Sequence, residues 1–383
     1  MSLKNLSLLA LASIVSAQTT PDLAGALSGS SDLSALNGVL AASPELLQSL
    51  GGLTNITVLA PSNAAFAAVD NATLAGLTAN PGLLAAVLQY HVLNGTYPSS
   101  AITNQSAFVP TSLTNTQFTN VTGGQRVEVI NEGGNVTIYS GLLANSSVTQ
   151  ADVNFTGGVI HVVDRLLTLP EDAASTLLAA NLTSLRGALV NATLVDTVNN
   201  TPNLTIFAPT NEAFRNIGSA LPNLTAEQIT DVLTYHVVAQ GPSIGYSSTL
   251  SNGSTLTTVN GEELTIIVGE SGIFVNNAKV VIADVLIANG VVHVIDNVLN
   301  PTNQTLAAGT EEQGVAAYEG ATPASDYPFT SGQPTASTTI APQATSAANP
   351  TAGSSTSTAG AAPMQTGAVG LGALFGAAAV YFM

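Results

Sequence analysis

The sequence predicts an α+β protein built from two copies of one domain. Three motifs occur twice in the same order: residues 56–66 return as 204–214, the pair Tyr90-His91 returns as Tyr235-His236, and residues 157–164 return as 289–296. The offset falls from 148 residues, between Asn63 and Asn211, to 132 residues, between His161 and His293. One duplication with a few later loop deletions explains this slow decrease, and a repeat of this length organises the whole chain. Helical patterns precede strand patterns in each copy, which is typical of α+β domains.

The first motif is interpreted as a buried strand that ends at a proline and continues directly into a helix. Proline cannot donate to a strand ladder, so the strand ends there. The hydroxyl group of Ser62 or Thr210 then caps the free amides of the first helical turn. A phenylalanine four residues after the cap is placed to pack that turn onto the core. The structural residues of the motif are Pro61, Asn63 and Phe66 in the first copy and Pro209, Asn211 and Phe214 in the second.

The rest of each copy is predicted from periodicity. Apolar residues at helical spacing predict helices over residues 22–50, and Asn80-Pro81 begins a helix over 82–90. In the second copy, Thr225 and Gln228 form a capping box that begins a helix over 226–235. Alternating residues predict hairpins over 126–139 and 263–275, followed by strands over 148–153 and 280–286. A tight turn then leads into the last strand, which carries the third motif.

The Ala-Pro-Thr-Asn-Glu-Ala-Phe segment, the Tyr-His pair and the Gly-Val-Val-His-Val-Ile-Asp segment together resemble the fasciclin (FAS1) domain. All three marks are present in both copies, over roughly residues 20–300. The resemblance implies that each copy folds as a small β-sandwich or wedge with N-terminal helices packed against it, one over 18–169 and one over 170–300. It also implies an adhesive surface around Tyr90, His91, Tyr235 and His236.

All four histidines of the chain lie in the repeated motifs, which raises the question of catalysis or metal binding. His161 and Asp164 are three residues apart on a strand, as are His293 and Asp296, so the side chains of each pair point to opposite faces. A structural role for all four residues is therefore favoured over a role as general base or metal ligand. No nucleophile elbow, phosphate-binding loop or zinc motif is found, so we expect no cofactor, no metal and no enzymatic activity.

The amino-acid composition argues against nucleic acid as a partner. The chain carries 23 acidic and six basic side chains, so no basic patch for nucleic acid is expected. Charged residues make up only 8% of the sequence, and cysteine is absent. The cores must therefore be stable without disulfides, which domains of about 130–150 residues achieve.

Both ends of the chain resemble targeting segments. Residues 1–17 have the basic start, apolar run and small-residue cleavage pattern of a signal peptide, with cleavage between Ala17 and Gln18. Residues 301–355 are rich in Ser, Thr, Ala and Pro and are predicted to form a stalk. Residues 356–383 form a polar spacer and an apolar tail, which resemble a GPI-attachment signal of the fungal type with Gly353 or Ser354 as attachment residue. A short transmembrane anchor is the alternative, although the tail has no basic flank.

The mature region is dense in N-glycosylation sequons, which would hydrate a surface poor in charge. The candidate asparagines are Asn55, Asn71, Asn94, Asn104, Asn120, Asn135, Asn145, Asn154, Asn181, Asn191, Asn199, Asn203, Asn223, Asn252 and Asn303. The sequence thus predicts a secreted, lipid-anchored glycoprotein at the cell surface or wall. Its expected function is adhesion or attachment to matrix or wall, with surface proteins or wall polysaccharide as partners. A polysaccharide-binding wall protein and an enzyme with an unrecognised site are the alternatives.

Overall fold

The computed structural model describes residues 20–239, 241, 243–307, 309–310 and 312–335. The predicted signal peptide, the cleavage site Ala17–Gln18, the attachment residues Gly353 and Ser354 and the apolar tail lie outside the described residues. The predicted α+β fold with two repeated domains is confirmed.

The first domain begins with helices, and the strand and helix of the Ala-Pro motif come next. Two more helices and the remaining strands follow. Its helices are α1 (Leu23–Ser28), α2 (Ser34–Ala41), α3 (Pro44–Gly51), α4 (Asn63–Ala67), α5 (Asn71–Ala79) and α6 (Pro81–Tyr90). Its strands are β1 (Ile56–Pro61), β2 (Val92–Asn94), β3 (Ala107–Pro110), β4 (Arg126–Glu132), β5 (Asn135–Tyr139), β6 (Asn145–Phe155) and β7 (Gly158–Val163).

The second domain repeats this order with fewer helices. Its helices are α7 (Ala173–Ala179), α8 (Thr183–Asn191), α9 (Val195–Asn200), α10 (Asn211–Asn216) and α11 (Ala226–Tyr235). Its strands are β8 (Leu204–Pro209), β9 (Val237–Val238), β10 (Thr255–Thr257), β11 (Glu263–Gly269), β12 (Gly272–Val275), β13 (Ala278–Ile287) and β14 (Gly290–Ile295). The capping box at Thr225 is present as predicted.

Each domain folds its strands into one seven-stranded sheet that nearly closes on itself. In the first domain the order is β2-β1-β7-β6-β5-β4-β3, and a bridge between Leu93 and Thr111 brings the two edges together. The second domain has the equivalent order and a bridge between Val238 and Thr258. β1 pairs with β7, and β8 with β14, in parallel, and all six residues of β1 and of β8 are buried. Burial on both faces is typical of parallel strands.

The turn before the last strand explains one repeated glycine. Gly158 has φ +153, and a Cβ atom there would lie 1.9 Å from the carbonyl oxygen of Ile56 on the neighbouring strand. Gly290 has φ +157 and the same 1.9 Å approach to the Leu204 oxygen. The parallel pairing of first and last strand therefore requires glycine at this position.

The described residues between 301 and 335 do not form the predicted stalk, so that prediction is wrong for this part of the chain. Residues 312–335 pack back along the second domain, and we call them the strap. Where the first domain has α5, the second has only a 3-10 turn, and Tyr318 and Phe329 of the strap pack against its core. The rings of Phe329 and Phe214 form an edge-to-face contact with their centroids 6.0 Å apart. The guanidinium group of Arg215 lies over the ring of Tyr327. A few well-placed aromatic side chains thus order a segment whose average composition is that of a linker.

Candidate functional site

The Tyr-His pairs do not form an adhesive surface, and this prediction is wrong for the folded domains. Tyr90, His91, Tyr235 and His236 are all at most 2% exposed. The Tyr90 hydroxyl donates to the Arg126 carbonyl oxygen at 2.9 Å, and Tyr235 donates to the Glu263 oxygen at 2.9 Å. Each tyrosine therefore joins the end of a helix to the strand hairpin inside the core.

The histidine of each Tyr-His pair is fixed in one neutral form by its neighbours. The Nδ1 atom of His91 donates to the carbonyl oxygen of Val87 at 2.7 Å, and its Nε2 atom accepts from the Leu167 amide at 3.0 Å. His236 makes the same two bonds, to Val232 and Leu299. Burial lowers the pKa of both imidazoles to about 4. These histidines are structural hydrogen-bonding groups that connect the end of a helix to the segment after the last strand.

The second pair of histidines is equally committed to the fold. The Nε2 atom of His161 donates to the Tyr97 carbonyl oxygen at 2.8 Å, and its Nδ1 atom accepts from the Asp152 amide at 3.2 Å. His293 makes the equivalent bonds to Gly245 and Asp284.

The aspartates that follow these histidines take separate roles. Asp164 accepts from the Ser147 amide at 2.7 Å, and Asp296 accepts from the Lys279 amide at 2.8 Å. His161 and Asp164 therefore share no contact, as the strand geometry indicates. Among the described residues, no group of three or more His, Cys, Asp or Glu side chains is arranged to hold a metal ion.

The asparagine of the Ala-Pro motif connects the turn between strand and helix to the preceding helical segments by hydrogen bonds. The Oδ1 atom of Asn63 accepts from the Ala35 amide at 2.8 Å, and its Nδ2 atom donates to Ser31 at 2.9 Å. Asn211 bonds in the same way to the amide of Ser184 and the carbonyl oxygen of Asn181. The motif therefore fixes the turn from strand to helix in each domain, and the polar groups of its asparagine are occupied by structural hydrogen bonds.

The sequon asparagines differ in accessibility. Twelve of the fifteen are exposed: Asn55, Asn71, Asn94, Asn104, Asn120, Asn135, Asn145, Asn154, Asn181, Asn191, Asn223 and Asn252. Asn199 and Asn303 are half-buried. Asn203 is buried, with its Nδ2 atom donating to the Thr122 hydroxyl of the other domain at 2.8 Å. Asn203 therefore does not fit a glycan in the docked protein, because attachment requires an accessible amide nitrogen.

The two domains dock through residues 111–125, a loop of the first domain that is shortened to 258–262 in the second. Six hydrogen bonds between described residues join this loop to the second domain. Thr119 Oγ1 and Asn120 N donate to Ala288 O (3.1 and 2.7 Å), Asn120 Nδ2 donates to Asn200 O (2.9 Å), and Gln125 Nε2 donates to Ile287 O (3.0 Å). Thr122 N donates to Asn203 Oδ1 and Thr122 Oγ1 accepts from Asn203 Nδ2, both at 2.8 Å. The rings of Phe108 and Tyr246 stack across the junction at 4.0 Å. Val121, Ile244, Leu286 and Val291 complete a buried apolar cluster there. Apolar contacts and directional bonds together hold one relative orientation of the domains.

A crevice of about 530 Å³ opens beside this junction. The first domain contributes Phe108 and Arg126, and the second contributes an apolar floor that includes Leu250 and Leu256. Hydroxyl side chains of Ser243, Ser248, Thr249 and Ser254 also line it. The Arg126 guanidinium donates one bond, to the Phe108 carbonyl oxygen at 3.1 Å, and makes no ion pair with any described residue. The crevice thus combines a cation, hydroxyl groups and apolar surface contributed by both domains.

Comparison with known proteins identifies the scaffold. The fasciclin domain model matches residues 31–170 and 180–301. The chain belongs to the fasciclin family. A fasciclin-like arabinogalactan protein of Arthroderma benhamiae is 36% identical over 81% of this chain and 74% of its own length. A fasciclin-like arabinogalactan protein of Cercospora beticola is 30% identical over 67% of this chain and 70% of its own length.

The chain is also similar, at lower sequence identity, to two other proteins. Human periostin is 26% identical over 67% of this chain and 30% of its own length. A solved FAS1 domain pair from the insect cell adhesion molecule fasciclin I matches 70% of this chain and 96% of that structure, with 23% identity and a TM-score of 0.34.

The junction residues of this fasciclin-family chain are the ones that sequence reasoning missed. Phe108, Arg126 and Tyr246 lie outside the repeated motifs, so a search for shared features passes over them. Tyr246 stands where the first copy has Pro98, because Ser247 and Ser99 make equivalent bonds to Asp284 and Asp152. Positions at which the two copies differ in character were the available signal.

Proposed function

We propose that the protein is a non-enzymatic cell-surface glycoprotein that mediates adhesion or attachment to extracellular matrix or cell wall. The observation that carries the proposal is that the four histidines and two tyrosines of the repeated motifs are sealed inside the domains by structural hydrogen bonds. The groups best suited to chemistry thus build the scaffold, which leaves the exposed surface of the docked domains for recognition. Membership of the fasciclin family and similarity to fasciclin-like arabinogalactan proteins support this function.

Attachment to the membrane through a GPI anchor, after secretion, is part of the proposal. It rests on the signal-peptide pattern at residues 1–17 and on the small residues, spacer and apolar tail after residue 353. Among the described residues, no helix is both long and apolar enough to cross a membrane. Phospholipase treatment of intact cells is expected to release the protein, and retention of the protein in the membrane would contradict the anchor.

The adhesive role is tested on cells that lack the protein. Such cells are expected to attach less to matrix and to one another, and re-expression of the wild-type chain should restore attachment. The released protein should bind surface proteins or wall polysaccharide in a pull-down or glycan array. Normal attachment of the deficient cells, together with no binding by the released protein, would refute the proposal.

A polysaccharide-binding wall protein is the second candidate, and the crevice favours it. Its hydroxyl groups, its apolar floor and the guanidinium group of Arg126 match the groups that hold a sugar ring and an acidic substituent. Arg126→Gln is expected to weaken binding to acidic polysaccharide on a glycan array. Arg165→Gln changes an exposed arginine outside the crevice and serves as the matched control. Equal binding by both variants would place recognition elsewhere.

A further inference from the structure

Two carboxyl groups from different domains face the junction. Glu128 on β4 is 3% exposed, and Asp284 on β13 is 5% exposed. Glu128 pairs in register with Phe108, the residue that stacks on Tyr246 of the other domain. Asp284 accepts from the amide of Ser247, the residue after Tyr246. The two acids therefore lie on either side of the same aromatic contact.

The surroundings of Glu128 do not neutralise its charge. One carboxylate oxygen accepts from the Ser106 hydroxyl at 2.5 Å, and the other has no hydrogen-bond partner in the described part of the chain. Arg126, on the same strand, gives its guanidinium bond to Phe108 instead. The ionisable groups that interact with Glu128 are Glu132 on β4, Tyr139 on β5 and Asp284 across the junction. Tyr246 interacts with Asp284, Arg126 and Tyr90 at the same junction. Burial, with the charges of Asp284 and Glu132, raises the pKa of Glu128 to about 7 against the lowering effect of Ser106.

Neither acid of this pair has a buried acidic counterpart in the other copy of the domain. Counting from the equivalent residues Gln125 and Glu262, the place of Glu128 is taken in the second copy by Thr265. The counterpart of Asp284 in the first copy is Asp152, which has the same left-handed backbone (φ 60 against 61) and the same serine-amide bond. Asp152 is exposed, since no second domain covers it. The duplicated fold therefore does not require either buried charge.

We propose that Glu128 and Asp284 make the docking of the two domains pH-dependent, so that the junction is tight in acid and loosens as Glu128 ionises. Phe108, Arg126 and Tyr246 belong to both the junction and the crevice wall, so loosening would also change the crevice. The proposal concerns the domains themselves and holds whether or not the crevice binds a saccharide.

The direction follows from linkage between protonation and docking. A carboxyl group with a raised pKa in the docked state retains its proton there after the undocked state has lost it. With the ordinary glutamate pKa of 4.5 taken for the undocked state, full docking strength is present below about pH 4.5 and is lost as pH rises towards about 7. The docking equilibrium can change by no more than the ratio of the proton affinities of Glu128 in the two states, which is on the order of a hundredfold.

Hydrogen exchange of the purified protein, read by mass spectrometry, tests this directly. The amides of Asn120 and Thr122 report junction opening, because both donate hydrogen bonds across the junction. After correction for intrinsic exchange rates, their protection should fall at least about tenfold between about pH 5 and about pH 8. The core amide of Leu59, bonded to His91, should show no such fall.

Three variants decide the outcome. Glu128→Gln should make junction protection independent of pH, and Asp284→Asn, which keeps the acceptor for Ser247, should reduce the pH dependence even if the first variant fails to fold. Asp152→Asn is the matched control and should behave as wild type. Constant junction protection in the wild type would overturn the proposal. So would a pH dependence that persists unchanged in Glu128→Gln or Asp284→Asn, or an equal fall at Leu59.

Discussion

Replacing Gly187 by alanine should detach the strap from the second domain, whereas the same change at Gly38 should stabilise the first. The two glycines are equivalent in the repeat, since Ser184 and Ala35, three residues earlier, both bond to the motif asparagine. A Cβ atom at Gly187 would lie 1.8 Å from the carbonyl oxygen of Phe329, while a Cβ atom at Gly38 meets nothing within 4 Å.

The size of the effect follows from these distances. Backbone overlap of this kind cannot be relieved by a rotamer change, so the strap must move and the Phe329–Phe214 contact is lost. Overpacking of this kind costs roughly 1–3 kcal/mol of stability. The helical gain of alanine over glycine, roughly 0.5–1 kcal/mol, applies equally to both positions and cancels in the comparison. With about 2–4 °C in Tm per kcal/mol for domains of this size, a difference of about 2–12 °C between the two variants is expected.

Differential scanning calorimetry measures this difference, and hydrogen exchange of the amides of Ser219 and Ala324, which bond between strap and domain, shows whether the strap is released. Gly187→Ala should lower Tm and the protection of both amides. Gly38→Ala should raise Tm slightly and leave both amides protected. A shift of the same sign and size in both variants would refute the assignment of the strap to the second domain.

Three further outcomes are expected. Glycopeptide mass spectrometry should find no glycan on buried Asn203, while exposed Asn55, its counterpart in the first copy, is open to one; a glycan on Asn203 would contradict the docked arrangement. Burial lowers the pKa of His91 and His236 to about 4, so the stability they contribute is complete above about pH 6.5 and is lost as pH falls towards 4. Urea unfolding at several pH values should show this loss, and His236→Gln should reduce its slope, whereas an unchanged slope would place the acid sensitivity elsewhere. Truncation after Leu306 should lower the Tm of the second domain by several degrees in calorimetry, and a Tm equal to that of the full chain would show that the strap adds no stability.

Much of the fold was predictable because its signals are local. The strand, proline, cap and phenylalanine of the Ala-Pro motif lie within eleven residues, and a duplicated sequence displays each signal twice. The capping box at Thr225 and the glycine turn before each last strand are likewise set by neighbouring residues. Such features depend on backbone geometry that short segments impose on themselves.

The functional surface was less predictable because it depends on contacts distant in sequence. Tyr90 and His91 were expected at the surface, but their polar atoms meet Arg126, Val87 and Leu167 inside the domain. The composition of residues 301–355 predicts a stalk, because an average over many residues does not show that Phe329 is placed to pack against the second domain. The junction depends on Phe108 meeting Tyr246, 138 positions later, and no local pattern encodes that contact.

The central claim is that the repeated motifs build the scaffold while the exposed surface of the docked domains performs recognition. Its most direct test is the adhesion to matrix and to cells of beads coated with the purified wild-type protein or with His161→Gln, measured well below the Tm of both. We predict that both coatings adhere equally, although His161→Gln melts at a lower temperature because the bonds to Tyr97 and Asp152 are weakened. Loss of adhesion by a natively folded His161→Gln, or no adhesion by the wild type, would contradict the claim.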